Sequence, residues 1–410
     1  MPHVLTWHFK APPTVRAARL VDIIDLALTP LLNSLEANPN LSFHLVIDGH
    51  ILRVLNDKCR GVESRLTDFA RLGRISPLIA LLYSPDMQLT PMEVIQEQLK
   101  LSVLEWKIRG IEKPAGAFIS EGWISGLAKE LLALGIERTL LPKGVIAAAK
   151  SGEYTKLLGA DLNHSMTFIQ STVGTLAGLP QGKIPPAIVL DTQPDNTVSY
   201  QTIEISNSSV SRENSDAFAE KLNHFLGVKA ANTPNAFTTI DKITIPSALQ
   251  IEESALLRSP TRKFKVDSRS LTTFVARREM LAQELAEIPA IIEAIPNYES
   301  NKDRYRLARN HFAAAWHSCW SDTEPNTGFS TYSVRRELYR AITSSQTEID
   351  AIKNPEIDPL IGWVRYNLKD KQPEQELVID TQLMRLYVSL KDGGNITEFD
   401  YRPRKTNFTN

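Results

Sequence analysis

Between residues 1 and 262, short apolar runs alternate with stretches whose apolar residues recur at helical spacing, the rhythm of a parallel α/β fold. Val4–Trp7 and Phe43–Ile47 read as strands. Between them, Arg16–Leu35 places Leu20, Ile23, Ile24, Leu26 and Ala27 on one helical face, with the helix ending near Pro30. Leu78–Tyr83 reads as a buried strand, Pro91–Ile108 as an amphipathic helix and Ala117–Ile119 as a short strand. Ile124–Leu134 is a helix closed by Gly135, and Thr139–Leu141, Ala187–Leu190 and Thr202–Ile205 continue the strand series. Repetition of β-α-β units on this scale predicts a barrel.

The hydrophobic period changes near residue 262. Thr272–Ile295, Asp303–Cys319 and Ser333–Ile352 are predicted helices, with turn chemistry at Ser321–Gly328. From Gly362 the pattern is that of strands: Glu376–Ile379, Met384–Leu390 and Ile396–Asp400, the last two joined by Asp392-Gly393-Gly394-Asn395. The expected organisation is therefore 1–262 barrel-like, 263–360 helical and 361–410 a short β segment. No internal repeat is visible.

Composition narrows the class. Hydrophobic residues are 42% and charged residues 23%, the balance of a globular protein. The net charge is −1 with no basic block, so nothing calls for a nucleic-acid or membrane-surface partner. No apolar run reaches about 18 residues, the length of a membrane span. Met1–His8 lacks the charge and apolar stretch of a signal peptide. Cys59 and Cys319, far apart, are expected to be reduced core thiols of a cytoplasmic protein; they provide no cysteine metal cluster.

Several motifs carry a resemblance. Arg309-Asn310-His311-Phe312-Ala313-Ala314-Ala315-Trp316-His317 is followed by Gly328-Phe329-Ser330-Thr331-Tyr332. Upstream stand His8-Phe9-Lys10-Ala11-Pro12, Tyr83-Ser84-Pro85, Phe118-Ile119-Ser120-Glu121-Gly122-Trp123 and Ile245-Pro246 through Glu252. In order and spacing these resemble family 57 of the glycoside hydrolases, the α-amylase and 4-α-glucanotransferase type. The resemblance implies an incomplete (β/α)7 barrel, a helical domain and a remnant of a C-terminal β-domain. It implies α-glucan or maltooligosaccharide as partner and needs no cofactor or metal; it names no protein partner.

A retaining glycosidase needs two carboxyl groups about 5 to 5.5 Å apart. Glu121 directly follows a short strand. By itself it reads as a carboxylate serving the first turn of the next helix; the resemblance gives it equally the role of nucleophile. Asp191, after Ile188-Val189-Leu190, is a candidate acid or a plain turn residue. The resemblance assigns substrate contacts to His8, Tyr83, Glu252, Trp316 and His317, although Trp316 and His317 also read as core and rim residues of an amphipathic helix. Relative to the family pattern, polar groups are replaced by Lys10, Ala11, Ser84, Gly122, Pro142-Lys143 and Ala313. The leading expectation is thus a catalytically impaired α-glucan-binding protein. An active retaining hydrolase or transferase using Glu121, and a scaffold for protein contacts, are the alternatives.

Overall fold

The computed structural model describes residues 3–12, 15–85, 87, 90–120, 122–142, 154–158, 165–175, 199–205, 219–220, 222, 226, 237–239, 249–251, 268–294, 298–317, 332–353, 363–367, 376–381, 383–390 and 393–409. The chain divides into two compact units, Met1–Arg262 and Lys263–Asn410.

The first unit is built on parallel strands β1 (His3–Phe9), β2 (Phe43–Ile47), β3 (Ile75–Ile79), β4 (Gly116–Phe118) and β5 (Arg138–Pro142). Each pairs with the next in the parallel sense. β5 continues to β7 (Ser165–Thr175), β7 to β8 (Ser199–Ile205), and β8 returns to β1. Seven parallel strands therefore form the incomplete (β/α)7 barrel, one short of the usual eight. β7 makes closure possible by its length. Its first half pairs β6 (Tyr154–Leu158) antiparallel, and only Thr172–Thr175 reach β8. β9 (Phe237–Thr238) adds to β1, and β10 (Leu249–Ile251) to β6.

The interior is apolar at its base. Val4, Val46, Leu78, Phe118 and Leu140, one from each of β1 to β5, are at most 1% exposed and pack together. Packing across non-adjacent strands identifies these as inward positions, so register places His8 and Thr6 on that same side.

Two elements depart from the expected boundaries. The helix does not end near Pro30: α1 (Ala17–Ile23) continues through a π-helical turn, Ile24–Leu28, into α2 (Thr29–Ala37). In that turn the Thr29 N–H donates to Ile24 O, five residues back. The widened turn accommodates a proline whose ring would otherwise meet a helical carbonyl, and Pro30 sits at the start of α2 where no donor is needed. β3 runs Ile75–Ile79 rather than Leu78–Tyr83, since the chain turns at Leu82–Tyr83. Helices α3 (Gly49–Lys58), α4 (Arg60–Arg71), α5 (Met92–Ile108) and α6 (Leu127–Ala133) pack outside the strands they connect. Cys59, between α3 and α4, is half-buried and free rather than a core thiol; Cys319 and the predicted strand at 187–190 lie outside the described residues.

The second unit comprises α7 (Ser268–Ala294), α8 (Tyr298–Ala314) and α9 (Tyr332–Lys353) with an antiparallel sheet, β11 (Trp363–Asn367), β12 (Glu376–Asp380), β13 (Met384–Ser389), β14 (Asn395–Tyr401) and β15 (Thr406–Asn407). Its sheet is inverted in polarity. Asp380, Arg385, Tyr387, Glu398 and Asp400 are buried towards the helices, whereas Ile379, Leu386, Val388, Phe399 and Tyr401 alternate with them on the other face and are half-buried. Arg277 of α7 meets Glu398, and Asp350 of α9 meets Arg385 and Arg402.

Candidate active site at the barrel mouth

Parallel barrels place their working groups at the C-terminal ends of the strands. Here the penultimate residues of β1 and β8 are His8 and Glu204, and they stand opposite each other in the parallel ladder. His8 Nδ1 lies 3.4 Å from Glu204 Oε1, the long limit of a hydrogen bond. His8 is 2% exposed, whereas the Glu204 side chain is 26% exposed and so open to solvent. Across the interior the His8 ring meets Phe118 edge to face, with centroids 5.1 Å apart. Phe118 thus closes the apolar base and fixes the imidazole above it. The nearby imidazole of His8 holds the Glu204 carboxyl below its usual range, against the opposing effect of burial, with further help from the charge of Lys10. Lys10 also continues the pairing, its N–H donating to Ile205 O at 2.9 Å. Glu204 is therefore an anion at neutral pH.

A second group of side chains braces the mouth between β2 and β3. Asp48 caps α3, accepting from His50 N at 3.3 Å, and its own N–H donates to Phe9 O. Tyr83 is 2% exposed. Arg53 Nη2 donates to its hydroxyl at 2.8 Å, its N–H donates to Gln98 Oε1 at 2.9 Å, and His50 packs on its ring edge to face. Burial pushes the Tyr83 hydroxyl up, and burial followed by Arg53 pushes His50 down to about 3, so His50 is a neutral imidazole. Ser84, next in line, has φ 43°, a conformation rare for serine. After β4, Gly122 has φ 102°, which an L side chain does not adopt without strain. The position beside Glu121 is thereby committed to glycine in this backbone.

Of the residues proposed from sequence, His8 and Tyr83 both belong to the barrel mouth, the first facing inward and the second buried behind it. Glu121, Asp191 and Glu252 lie outside the described residues. Trp316 and His317 belong to the second unit, just beyond α8, at 1% and 3% exposure. The Arg278 guanidinium stacks on the Trp316 ring at 3.9 Å, and Phe312 meets it edge to face. Glu204 is the residue that sequence reasoning missed. Its signal was a lone carboxylate between Ile203 and Ile205 near the end of a strand, where alternation turns it inward. Among the described residues no group of three or more His, Cys, Asp or Glu is placed to hold a metal ion. No described helix is long and apolar enough to cross a membrane.

No protein-family model matches the sequence, and no curated protein does. Solved structures do match the fold. The 4-α-glucanotransferase of Thermococcus litoralis superposes with a TM-score of 0.65 at 14% identity, over 100% of this chain and 68% of the other. A glycoside hydrolase family 57 branching enzyme from Thermococcus kodakaraensis, solved in complex with glucose, gives 0.60 at 10% identity over 87% and 92%. An α-mannosidase from Enterococcus faecalis gives 0.57 at 10% identity over 100% and 61%. The chain thus has the fold of the family 57 type of glycoside hydrolase, and at this identity the likeness concerns the fold alone. The α-mannosidase match makes the same point, since one fold carries different sugar chemistries.

Proposed function

We propose that this protein binds α-glucan at the mouth of its (β/α)7 barrel and turns it over slowly or not at all. The carrying observation is Glu204. It stands near the end of the last barrel strand on the inward side, but His8 and Lys10 hold it ionised. A general acid needs the opposite environment, one that raises its pKa towards the working pH. An anionic carboxylate instead accepts hydrogen bonds, and sugar hydroxyls are their natural donors. The glucan itself is inferred from neighbours whose names are 4-α-glucanotransferase and branching enzyme. Lys10, Ser84 and Gly122 at family polar positions support weak chemistry from a second direction: Gly122 holds a backbone that excludes the side chain the family pattern has there.

Turnover tests the reading. Purified protein is incubated with maltoheptaose and product sizes are followed, beside Glu121→Gln. A general acid contributes about 10²- to 10⁴-fold, so loss of one should leave rates near background in both proteins. Robust hydrolysis or transfer abolished by Glu121→Gln would overturn the proposal and place an acid elsewhere, with Asp191 the first residue to substitute.

A further inference from the structure

The second unit buries charge on the sheet face that meets its helices, and the balance there is uneven. Glu398 and Asp400 occupy alternate positions of β14, so their side chains leave the same face. They are 1% and 4% exposed. Arg277 Nε donates to Glu398 Oε2 at 2.6 Å, and the Arg277 guanidinium lies over the Tyr387 ring at 3.5 Å. Arg385 and Arg402 are engaged by Asp380 and Asp350. No ion pair reaches Asp400 among the described residues; its contact is Asn407 Nδ2, which donates to Oδ1 at 2.9 Å. Meanwhile Glu398 Oε1 is buried and has no hydrogen-bond partner among the described residues. Two ionised carboxylates side by side in a low dielectric repel, whereas one proton between them removes the repulsion and satisfies the orphan acceptor.

We propose that Glu398 and Asp400 share one proton, and that this proton locks the five-stranded sheet onto α7 and α9. The groups that surround Asp400 come from every packed element. They are Arg277 and Glu284 of α7, Tyr339 of α9, Arg385 and Tyr387 of β13, Glu398 on its own strand, Asn407 of β15 and Arg402 beyond β14. A small cavity of about 10 Å³ borders Asp400 together with Arg277, Glu284 and Arg402. Burial, and then the charge of Glu398, push the Asp400 carboxyl up to about 8. The sign follows. The unfolded chain loses this proton near pH 4 and the folded one near 8, so the lock is strongest in acid, weakens as pH rises between those values, and is constant above.

Hydrogen exchange of β13 and β14 in the full chain, corrected for intrinsic rates, reads the opening equilibrium directly. In the wild type, opening should increase by up to about tenfold per pH unit through neutrality, the slope of one proton. Asp400→Asn keeps the shape and the contact to Asn407 but carries no charge, and its opening should be flat across that window. A variant with the wild-type slope, or a wild type with none, overturns the proposal. Side-chain NMR of the wild type labelled at aspartate needs no variant to fold. A buried carboxyl titrating near 8 is expected, and the absence of any aspartate titrating above about pH 6 contradicts the shared proton.

Discussion

The Gly49 N–H donates to Leu82 O at 2.6 Å, and the same close approach leaves no room for a methyl group at the start of α3. A Cβ there would lie 2.7 Å from Leu82 Cγ, 2.8 Å from Leu82 O and 2.9 Å from Tyr83 Cε1. One of these is backbone, so the loop behind the mouth must shift. Gly49→Ala should therefore cost about 1–3 kcal/mol, the range of overpacking, and lower the melting temperature. An unchanged melting temperature would show that the loop yields freely. His8 and Glu204 give a second residue-scale outcome. A carboxyl held low in the folded state adds stability above its unfolded pKa, near 4.3, and that contribution is lost as pH falls through the folded value. His8→Phe keeps the contact with Phe118 but removes the ring nitrogen beside Glu204, so the Glu204 carboxyl should titrate at higher pH by NMR. No movement would mean that Lys10, not His8, governs it. The sequence reveals His8 through its motif but hides Glu204, because neither residue marks the other as a partner. Only the parallel register of β1 and β8, strands separated by some 190 positions, joins them.

At the scale of elements, hydrophobic period located most strands and helices of the barrel, since each buries a face with a regular repeat. It failed where length or a special turn decided the outcome. Pro30 reads as a stop, yet the π-helical turn before it keeps the helix going. β7, with Thr, Gln, Ser and Gly among its residues, carries no clean strand signal and is held by partners on both edges. The second sheet is a different case. Alternation at β12 to β14 is legible, but on its own it assigns the apolar set to the core. Here the charged set faces the helices, because Arg277, Arg385 and Arg402 meet the carboxylates there. Such a pair is tolerated only while both partners are present. Arg277→Met should cost about 3–5 kcal/mol in denaturant unfolding of the second unit by leaving Glu398 uncompensated, and adding Glu398→Gln should recover much of it. A single-variant loss under about 1 kcal/mol, the value of a surface pair, would contradict the buried geometry.

For the molecule as a whole, two compact units carry separate physical problems: an apolar barrel floor beneath a histidine and a carboxylate, and a sheet docked through ions. The barrel was legible from motif order, and solved structures of the family 57 type share its fold across most or all of this chain. The chemistry is less legible, because a fold specifies where a site lies and not which groups survive in it. The central claim is that the mouth recognises α-linked glucan through an ionised Glu204. Isothermal titration of maltoheptaose, with cellohexaose as the β-linked control, tests it most directly. The account predicts saturable binding of maltoheptaose alone, weakened at least several-fold by Glu204→Gln, since a hydrogen bond to a charged group is worth about 1.5–3 kcal/mol. Equal binding of both sugars, or maltoheptaose binding that Glu204→Gln leaves unchanged, would contradict it.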